Sequence, residues 1–214
     1  MTLLASVVAY SQSAETGARI ATFALEYPRT IHAELMTHRV FGRNASSSRA
    51  IPIKKMDQAL EDNPFVPWHF LKNQPGMQGF EYVDDDTARA AKGLIEAHRI
   101  DSMRLARRLA EMGLHKQIYN RYTEAHQYIR VLVTSSTFRN FFLLRTDSMA
   151  EPHLQDLARL MVEELENAGP RVLDRGEWHL PYWNAGDEQE LDKFLDQEPN
   201  PRWQQLLPDP HFIP

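Results

Sequence analysis

A long stretch of helical periodicity limits the possible folds of this chain more than any other feature. The stretch starts after the aspartates at residues 84–86, whose negative charge favours the start of a helix. It ends at Gly113, a residue type that often follows the last helical turn. Its predicted inner face consists of Ala91, Ile95, His98, Ser102, Leu105, Leu109 and Met112. The sequence therefore predicts one long helix, ending near residue 112.

Strand patterns occur before and after this helix. Residues 3–10 and 19–27 mix apolar and β-branched side chains, and Pro28 closes the second run. Residues 128–134 form the strongest strand pattern in the chain. Shorter helices are predicted at residues 29–36, 54–60, 114–121 and 138–145, and another after a capping box formed by Ser148 and Glu151. The chain thus mixes strands and helices along its length.

The chain is interpreted as a single domain over residues 1–214, in which residues 171–214 form a C-terminal extension rich in Pro and Trp. Trp178 and Trp183 are expected to pack on the body of the domain, and one short helix is predicted near residues 188–195.

Composition excludes several functional classes. A formal net charge of −5 argues against a general nucleic-acid-binding protein. The absence of cysteine excludes disulfides, thiolate metal sites and a cysteine nucleophile. The nine histidines show no spacing typical of a metal site, and no metal is predicted. Because the sequence contains no recognisable signal peptide or membrane span, a cytoplasmic protein without a membrane partner is expected.

Residues 37–49 concentrate groups that bind anions. They include Arg39, Arg43, Arg49, Asn44, Ser46, Ser47 and Ser48. Guanidinium groups suit phosphate or carboxylate, and the amide and hydroxyls can fix the orientation of a ligand. A solvated basic loop is the alternative interpretation. Apolar segments on both sides favour a loop anchored to the core, and a negatively charged partner from outside the run is expected.

The same run resembles the signature of the flavin-dependent thymidylate synthases (ThyX family), R-H-R-x-x-S-x-N-x-x-S-x-R. The matching residues are His38, Arg39, Asn44, Ser47 and Arg49, without a gap. Thr37, Gly42 and Ala50 depart from the signature, since the family has Arg, Ser and Tyr there. Thr37 removes a cation that the family offers to the flavin, and Arg43 is a candidate to compensate for it.

A second block extends the resemblance to about residues 15–170. Arg121 resembles an arginine that binds the nucleotide phosphate, Asn140 matches an asparagine near the flavin, and Arg145 matches an arginine that grips the pyrimidine. By this resemblance, the FAD-binding residues are His38, Arg39, Asn44 and Asn140. The substrate-binding residues are Ser47, Arg49, Arg121 and Arg145.

The resemblance implies reductive methylation of dUMP to dTMP, with FAD as cofactor and NADPH and methylenetetrahydrofolate as co-substrates. It also implies an α/β (α+β) fold, in which helices flank a central mixed sheet, and a homotetramer. Arg145 is the candidate catalytic residue, because a guanidinium next to a pyrimidine carbonyl stabilises the negative charge that develops as C5 attacks. A flavin removes the need for a cysteine nucleophile, which this chain lacks.

Two alternatives remain open at this point. The departures at Thr37, Gly42 and Ala50 are compatible with a sibling enzyme that modifies another pyrimidine nucleotide or leaves a hydroxymethyl group. The other alternative is a protein that binds flavin or nucleotide without catalysis.

Overall fold

A five-stranded sheet lies at the centre of the computed structural model, which describes residues 3–76 and 78–182. The strands are β1 (Leu4–Ser13), β2 (Arg19–Pro28), β3 (Gly42–Ala45), β4 (Tyr128–Ser135) and β5 (Arg171–Leu173). They lie in the order β3-β4-β2-β1-β5. The β1–β5 pair is parallel and the other three pairs are antiparallel, so the sheet is mixed.

Helices of very different lengths flank the sheet. The α-helices of the described ranges are α1 (His32–Met36), α2 (Ile53–Asp62), α3 (Asp85–Glu111), α4 (Lys116–Tyr119), α5 (Arg139–Arg145) and α6 (Pro152–Asn167). Short 3-10 helices cover Arg29–Ile31, Ser48–Ala50 and Asn120–His126. The predicted α/β (α+β) fold with a central mixed sheet is therefore confirmed.

The main core lies between the sheet and helices α5 and α6. Alternate side chains of a strand point to the same face, so every second residue of β2 and β4 enters this core. These residues are Phe23, Leu25, Tyr27, Ile129, Val131 and Val133. α6 adds Leu154, Leu157 and Met161 at helical spacing. A smaller cluster joins α2 to α3 through Met56, Leu60 and Met103.

The ends of α3 agree with the prediction. The Asp84 side chain caps the helix by accepting a hydrogen bond from the backbone N–H of Thr87. Gly113 follows the helix with a φ of 84°, a conformation that glycine adopts without strain. Local sequence therefore determined where this helix begins and ends.

The predicted inner face of α3 was only partly right. Ser102 is buried, together with Met103 and Ala106, while Leu105 and Met112 are 43% and 74% exposed. α3 packs against α4 and the segment Asn120–His126, and this packing determines which of its faces is buried. Periodicity finds the helix but does not reveal which neighbouring face another element will cover.

The start of α6 also differs from the prediction. Glu151, rather than Ser148, is the N-cap, and its carboxylate accepts a hydrogen bond from the backbone N–H of Leu154 over 2.8 Å. Pro152 occupies the first turn, where its missing N–H costs nothing. The helix therefore begins three residues later than the capping-box pattern indicates.

The C-terminal region departs from the predicted packing. Trp178 is 75% exposed, so the expectation that it packs on the body was wrong. Trp183 and the helix predicted near residues 188–195 lie outside the described residues. The described residues up to His179 belong to one compact unit, and the described residues 180–182 are not part of it. Within the described ranges, no helix is both long and apolar enough to cross a membrane.

Candidate functional site

Part of the basic run forms an edge strand instead of the predicted loop. Residues 42–45 form β3, which pairs antiparallel with β4, so that Arg43 lies opposite Val133. Ladder hydrogen bonds use only the backbone, and charged side chains are common at the edge of a sheet. The run is anchored at both ends, because His38 before β3 and Ser48 after it are buried.

His38 and Arg145 meet at the end of α5. Nε of Arg145 donates a hydrogen bond to Nε2 of His38 over 3.0 Å, and its guanidinium also donates to the Thr37 hydroxyl over 3.4 Å. The His38 ring packs against Phe41 and Phe141, whose ring centroids are 5.7 and 4.9 Å away. The aromatic core therefore sets the position of the His38 ring, which in turn holds Arg145, and we call the two residues the His38–Arg145 pair.

The imidazole of His38 acts as the acceptor, so it is neutral in this arrangement. Burial of the ring, followed by the charges of Arg145 and Arg43, holds the pKa of His38 below its usual range. With Nε2 as acceptor, the ring proton is carried by Nδ1. Arg145 is thus oriented by a neutral group and keeps its positive charge.

Glu34 is a carboxylate near Arg145 that was not among the predicted site residues. Its Oε2 lies 3.8 Å from Nη1 of Arg145, longer than a direct charge-assisted hydrogen bond. Burial and the nearby charge of Glu151 raise the pKa of Glu34, while Arg145 lowers it. Glu34 therefore offsets only part of the Arg145 charge. Its position four residues before His38, on a predicted helix, was the sequence signal that could have identified it.

Arg49 and Arg121 line one cavity of about 500 Å³, called the Arg49–Arg121 cavity below. Its other lining residues are Gln117, Ile118 and Tyr122, none of which is acidic. In the described part of the chain, neither arginine forms an ion pair, although Nε of Arg121 donates to the carbonyl of Gln117 over 3.1 Å. Two guanidinium groups at a cavity of small-molecule size are suited to an anion.

Polar contacts hold the turn that carries Arg49. The Ser48 hydroxyl donates to Oε1 of Glu124 over 2.8 Å, and the same oxygen pairs with Arg29 at 3.1 Å. Nζ of Lys116 donates to the carbonyl of Ala50 over 2.9 Å. The carboxylate that approaches the basic run is therefore engaged by Ser48 and Arg29 and does not neutralise Arg49.

The other predicted residues do not line the Arg49–Arg121 cavity and, in the described ranges, do not bond to the His38–Arg145 pair through their side chains. They are the exposed residues Arg39, Asn44, Ser47 and Asn140. No hydrogen bond or ion pair connects their side chains to Arg145, Arg49 or Arg121 within the described ranges. The structure thus brings together two pairs of predicted residues, and the functional roles of all eight residues remain predictions.

A second cavity, of about 530 Å³, contains none of the predicted residues. It lies beside Arg139, Phe142, Leu143 and Thr146 of the α5 region. Its Arg19 already donates hydrogen bonds to Gln12 and to the hydroxyl of Tyr10. Its lining combines apolar side chains with a second arginine, Arg139, and with serine and threonine residues. The Arg49–Arg121 cavity is the better candidate for the predicted ligand, because two of the predicted substrate-binding residues line it.

The similarity of this chain to known proteins was found by comparing structures. No protein-family model and no curated protein matches it. The UMP/dUMP methylase PolB from Streptomyces cacaoi bound with 5-Br UMP has a TM-score of 0.63 and 15% identity, covering 77% of this chain and 88% of that chain. The same protein bound with 5-Br dUMP has a TM-score of 0.56 and 16% identity, covering 69% and 65%. At these identities the similarity shows the fold.

Proposed function

We propose that this chain methylates a pyrimidine nucleotide and, more specifically, that it is a flavin-dependent thymidylate synthase of the ThyX family that converts dUMP to dTMP. The observation that carries the proposal is the Arg49–Arg121 cavity, in which an arginine of the signature meets an arginine of the second block. The fold shared with PolB, described as a UMP/dUMP methylase, supports the same substrate class.

In the proposed enzyme, Arg49 and Arg121 bind the phosphate of dUMP. A nucleotide phosphate accepts charge-assisted hydrogen bonds, which are stronger than neutral ones, and a guanidinium can offer two at once. Because neither arginine is paired with a carboxylate in the described structure, phosphate binding breaks no existing ion pair. Ser47, exposed just before the turn of Arg49, supplies a neutral donor at the same edge.

Arg145 is the proposed catalytic residue. Its guanidinium donates to a carbonyl oxygen of the pyrimidine and stabilises the negative charge that develops while C5 attacks the one-carbon unit. The bond from Nε to His38 fixes the plane of the guanidinium. One Nη group donates to the Thr37 hydroxyl and the other lies 3.8 Å from Oε2 of Glu34, and the pyrimidine carbonyl would accept its hydrogen bond from these Nη groups. Since His38 is neutral, this orientation does not reduce the positive charge of Arg145.

The exposed donors have the chemistry that a flavin needs. Arg39, Asn44 and Asn140 offer a guanidinium and two amides for the polar edge of the ring system or for the cofactor's phosphates. His38 fits less directly, because it is 8% exposed and already accepts a hydrogen bond from Arg145. Bound FAD would pass the reducing equivalents of NADPH to the carbon derived from methylenetetrahydrofolate.

We also propose that the active protein is a homotetramer, with sites that use more than one subunit. The His38–Arg145 pair and the Arg49–Arg121 cavity lie at separate places on one chain, and a neighbouring subunit would complete each of them. Exposed apolar side chains support such an interface: Leu94 and Met112 of the α3 region are each 74% exposed, and Leu105 is 43% exposed.

The absorbance spectrum of the purified protein, followed by a turnover assay, tests the proposal. We expect a flavin spectrum that bleaches with NADPH, and tritium release from C5-labelled dUMP that requires methylenetetrahydrofolate. A protein that binds no FAD and releases no tritium would contradict the proposal. Flavin binding without tritium release from C5-labelled dUMP, UMP or dCMP would identify a catalytically silent binding protein instead.

A sibling enzyme is the second candidate function. PolB is described as acting on both UMP and dUMP, and three signature positions of this chain, Thr37, Gly42 and Ala50, differ from the family pattern. Tritium release from C5-labelled dUMP, UMP and dCMP under the same conditions separates these substrates. The mass of the product distinguishes a methyl from a hydroxymethyl group.

A further inference from the structure

A buried asparagine connects the two walls of the Arg49–Arg121 cavity. Asn120 is 1% exposed, and its Nδ2 donates to the carbonyl of Ser48 over 2.7 Å and to the carbonyl of Ile51 over 2.8 Å. These carbonyls stand on either side of Arg49, and Asn120 immediately precedes Arg121. One side chain therefore ties the turn of the first arginine to the segment that carries the second.

The backbone of Asn120 is itself held in place. Its carbonyl accepts hydrogen bonds from the Thr123 hydroxyl over 3.0 Å and from Nε2 of Gln127 over 3.2 Å. Gln127 also donates to Oγ1 of Thr123 over 2.7 Å. All three residues are buried, so Asn120 reaches the turn of Arg49 from a rigid support.

This arrangement does not maximise stability. Oδ1 of Asn120 is buried and has no hydrogen-bond partner among the described residues. An unpaired buried acceptor costs about 1–3 kcal/mol of stability. The amide cannot be reversed to relieve this cost, because both carbonyls of the turn require its N–H groups. The hydrogen bonds that the Asn120 amide donates to the turn are therefore kept together with an unpaired acceptor.

We propose that Asn120 is a positioning residue that holds Arg49 opposite Arg121 in readiness for a nucleotide phosphate. The inference rests on the proposed function, because it takes the ligand of the cavity to be a nucleotide. Asn120 is buried and acts through the turn of Arg49. Fixing the backbone below an exposed arginine reduces the ordering that ligand binding would otherwise require, and so increases affinity.

Hydrogen exchange tests the connection without any ligand. The backbone N–H groups of Ala50 and Ile51 are bonded within the turn, and they should exchange about tenfold faster in Asn120→Ala, which loses two hydrogen bonds. Gln155→Ala is the matched control, since its side-chain amide also donates to two backbone carbonyls, those of Thr146 and Asp147, but to none of this turn. Equal exchange of the turn in both variants would overturn the inference.

The affinities of dUMP and deoxyuridine, measured by calorimetry on the full chain, test the role in phosphate binding. We expect Asn120→Ala to raise the Kd of dUMP about tenfold and to leave the Kd of deoxyuridine unchanged. Gln155→Ala should leave the ratio of the two constants as it is. A structural role alone would weaken both ligands alike, so an unchanged ratio in Asn120→Ala would overturn the proposal.

Two further controls keep the outcomes distinct. Asn120→Ser retains a short polar side chain and is judged by the same criteria if Asn120→Ala does not fold. If the unmodified protein binds no dUMP, the proposed function fails, while the exchange measurement still decides whether Asn120 holds the turn. Faster exchange together with an unchanged affinity ratio would limit Asn120 to a structural role and overturn its part in phosphate binding.

Discussion

Nε of Arg145 lies 3.0 Å from Nε2 of His38, and this hydrogen bond attaches the last residue of α5 to the start of the signature run. The pair combines a cation with a neutral acceptor, while the nearest carboxylate oxygen, on Glu34, is 3.8 Å from the guanidinium. The result is an oriented positive charge that Glu34 offsets only in part. Such a charge stabilises negative charge that develops during a reaction.

Removing the acceptor from this pair should lower turnover. We expect His38→Leu to reduce kcat for dUMP at least about tenfold, because Arg145 loses its orientation and small misplacements of a catalytic group are costly. His38→Gln retains an acceptor and is the matched control. Tritium release from C5-labelled dUMP measures both variants. Equal rates in His38→Leu and the unmodified protein would show that this bond does not orient the catalytic group.

Removing either cavity arginine should weaken nucleotide binding. Arg49→Gln and Arg121→Gln should each raise the Kd of dUMP about tenfold or more, because each loses charge-assisted hydrogen bonds to the phosphate. Arg108→Gln is the control, since Arg108 is an exposed arginine of α3 outside the cavity. Calorimetric titration measures the three variants. An unchanged affinity in both cavity variants would place the phosphate elsewhere.

Phe141 should make a large contribution to stability. Its side chain is 1% exposed in the main core and contacts the His38 ring. Phe141→Ala should lower the free energy of unfolding by about 3–5 kcal/mol, because it removes a buried ring and leaves a cavity. Leu144→Ala on the same helix is the control, since Leu144 is 53% exposed. Denaturant unfolding followed by circular dichroism compares them, and similar losses would contradict the assigned core.

Asp156 should hold the segment that carries Trp68 and His69 against α6. Its Oδ2 accepts hydrogen bonds from Nε1 of Trp68 over 2.9 Å and from Nε2 of His69 over 2.7 Å. Asp156→Ala leaves both donors unpaired and should make the segment more sensitive to proteolysis. Asp147→Ala, at an exposed aspartate before α6, is the control. Limited proteolysis with mass spectrometry locates the cleavage sites. The same cleavage pattern in Asp156→Ala and Asp147→Ala would contradict this role of Asp156.

Stability should decrease in mild acid because of His126. Burial, and then the charge of His98 at a hydrogen-bond distance of 2.8 Å, lower the pKa of His126. The unfolded chain therefore binds a proton at higher pH than the folded chain does. Stability is complete above the ordinary histidine pKa of about 6.5 and falls as the pH drops below it.

The Tm measured from pH 8 to pH 5 tests this expectation. In His126→Gln the decrease below about pH 6.5 should be smaller, because the buried titrating group is absent. Three other histidines also have lowered pKa values, and both the unmodified protein and His126→Gln retain them. They are His32, His38 and His179. An identical pH dependence in the variant would assign the acid sensitivity to them instead.

The predicted elements that were confirmed are those with a local signal. The strands at residues 3–10, 19–27 and 128–134 and the long helix from residue 85 appear where their periodicity and capping residues place them. Alternation and helical spacing report which side of an element is apolar, and this information lies within a few neighbouring residues.

The strands β3 and β5 were not predicted because their stability comes from distant partners. β3 is polar and pairs with β4, and β5 has three residues and pairs in parallel with β1. Neither has an alternating pattern of its own. Backbone hydrogen bonds to a sheet edge do not depend on side-chain type. The residue types of such a segment therefore give little indication that it pairs.

For the candidate site, the sequence by itself determined the chemical groups: the arginines, the amides and the histidine of the signature, and the absence of cysteine. Only the tertiary structure decided which of them meet, pairing Arg145 with His38 and Arg49 with Arg121, and placing Glu34 and Asn120 beside them. Residue types follow from the chain directly. Distances between residues far apart in the chain follow from how the sheet and helices pack, which no local pattern records.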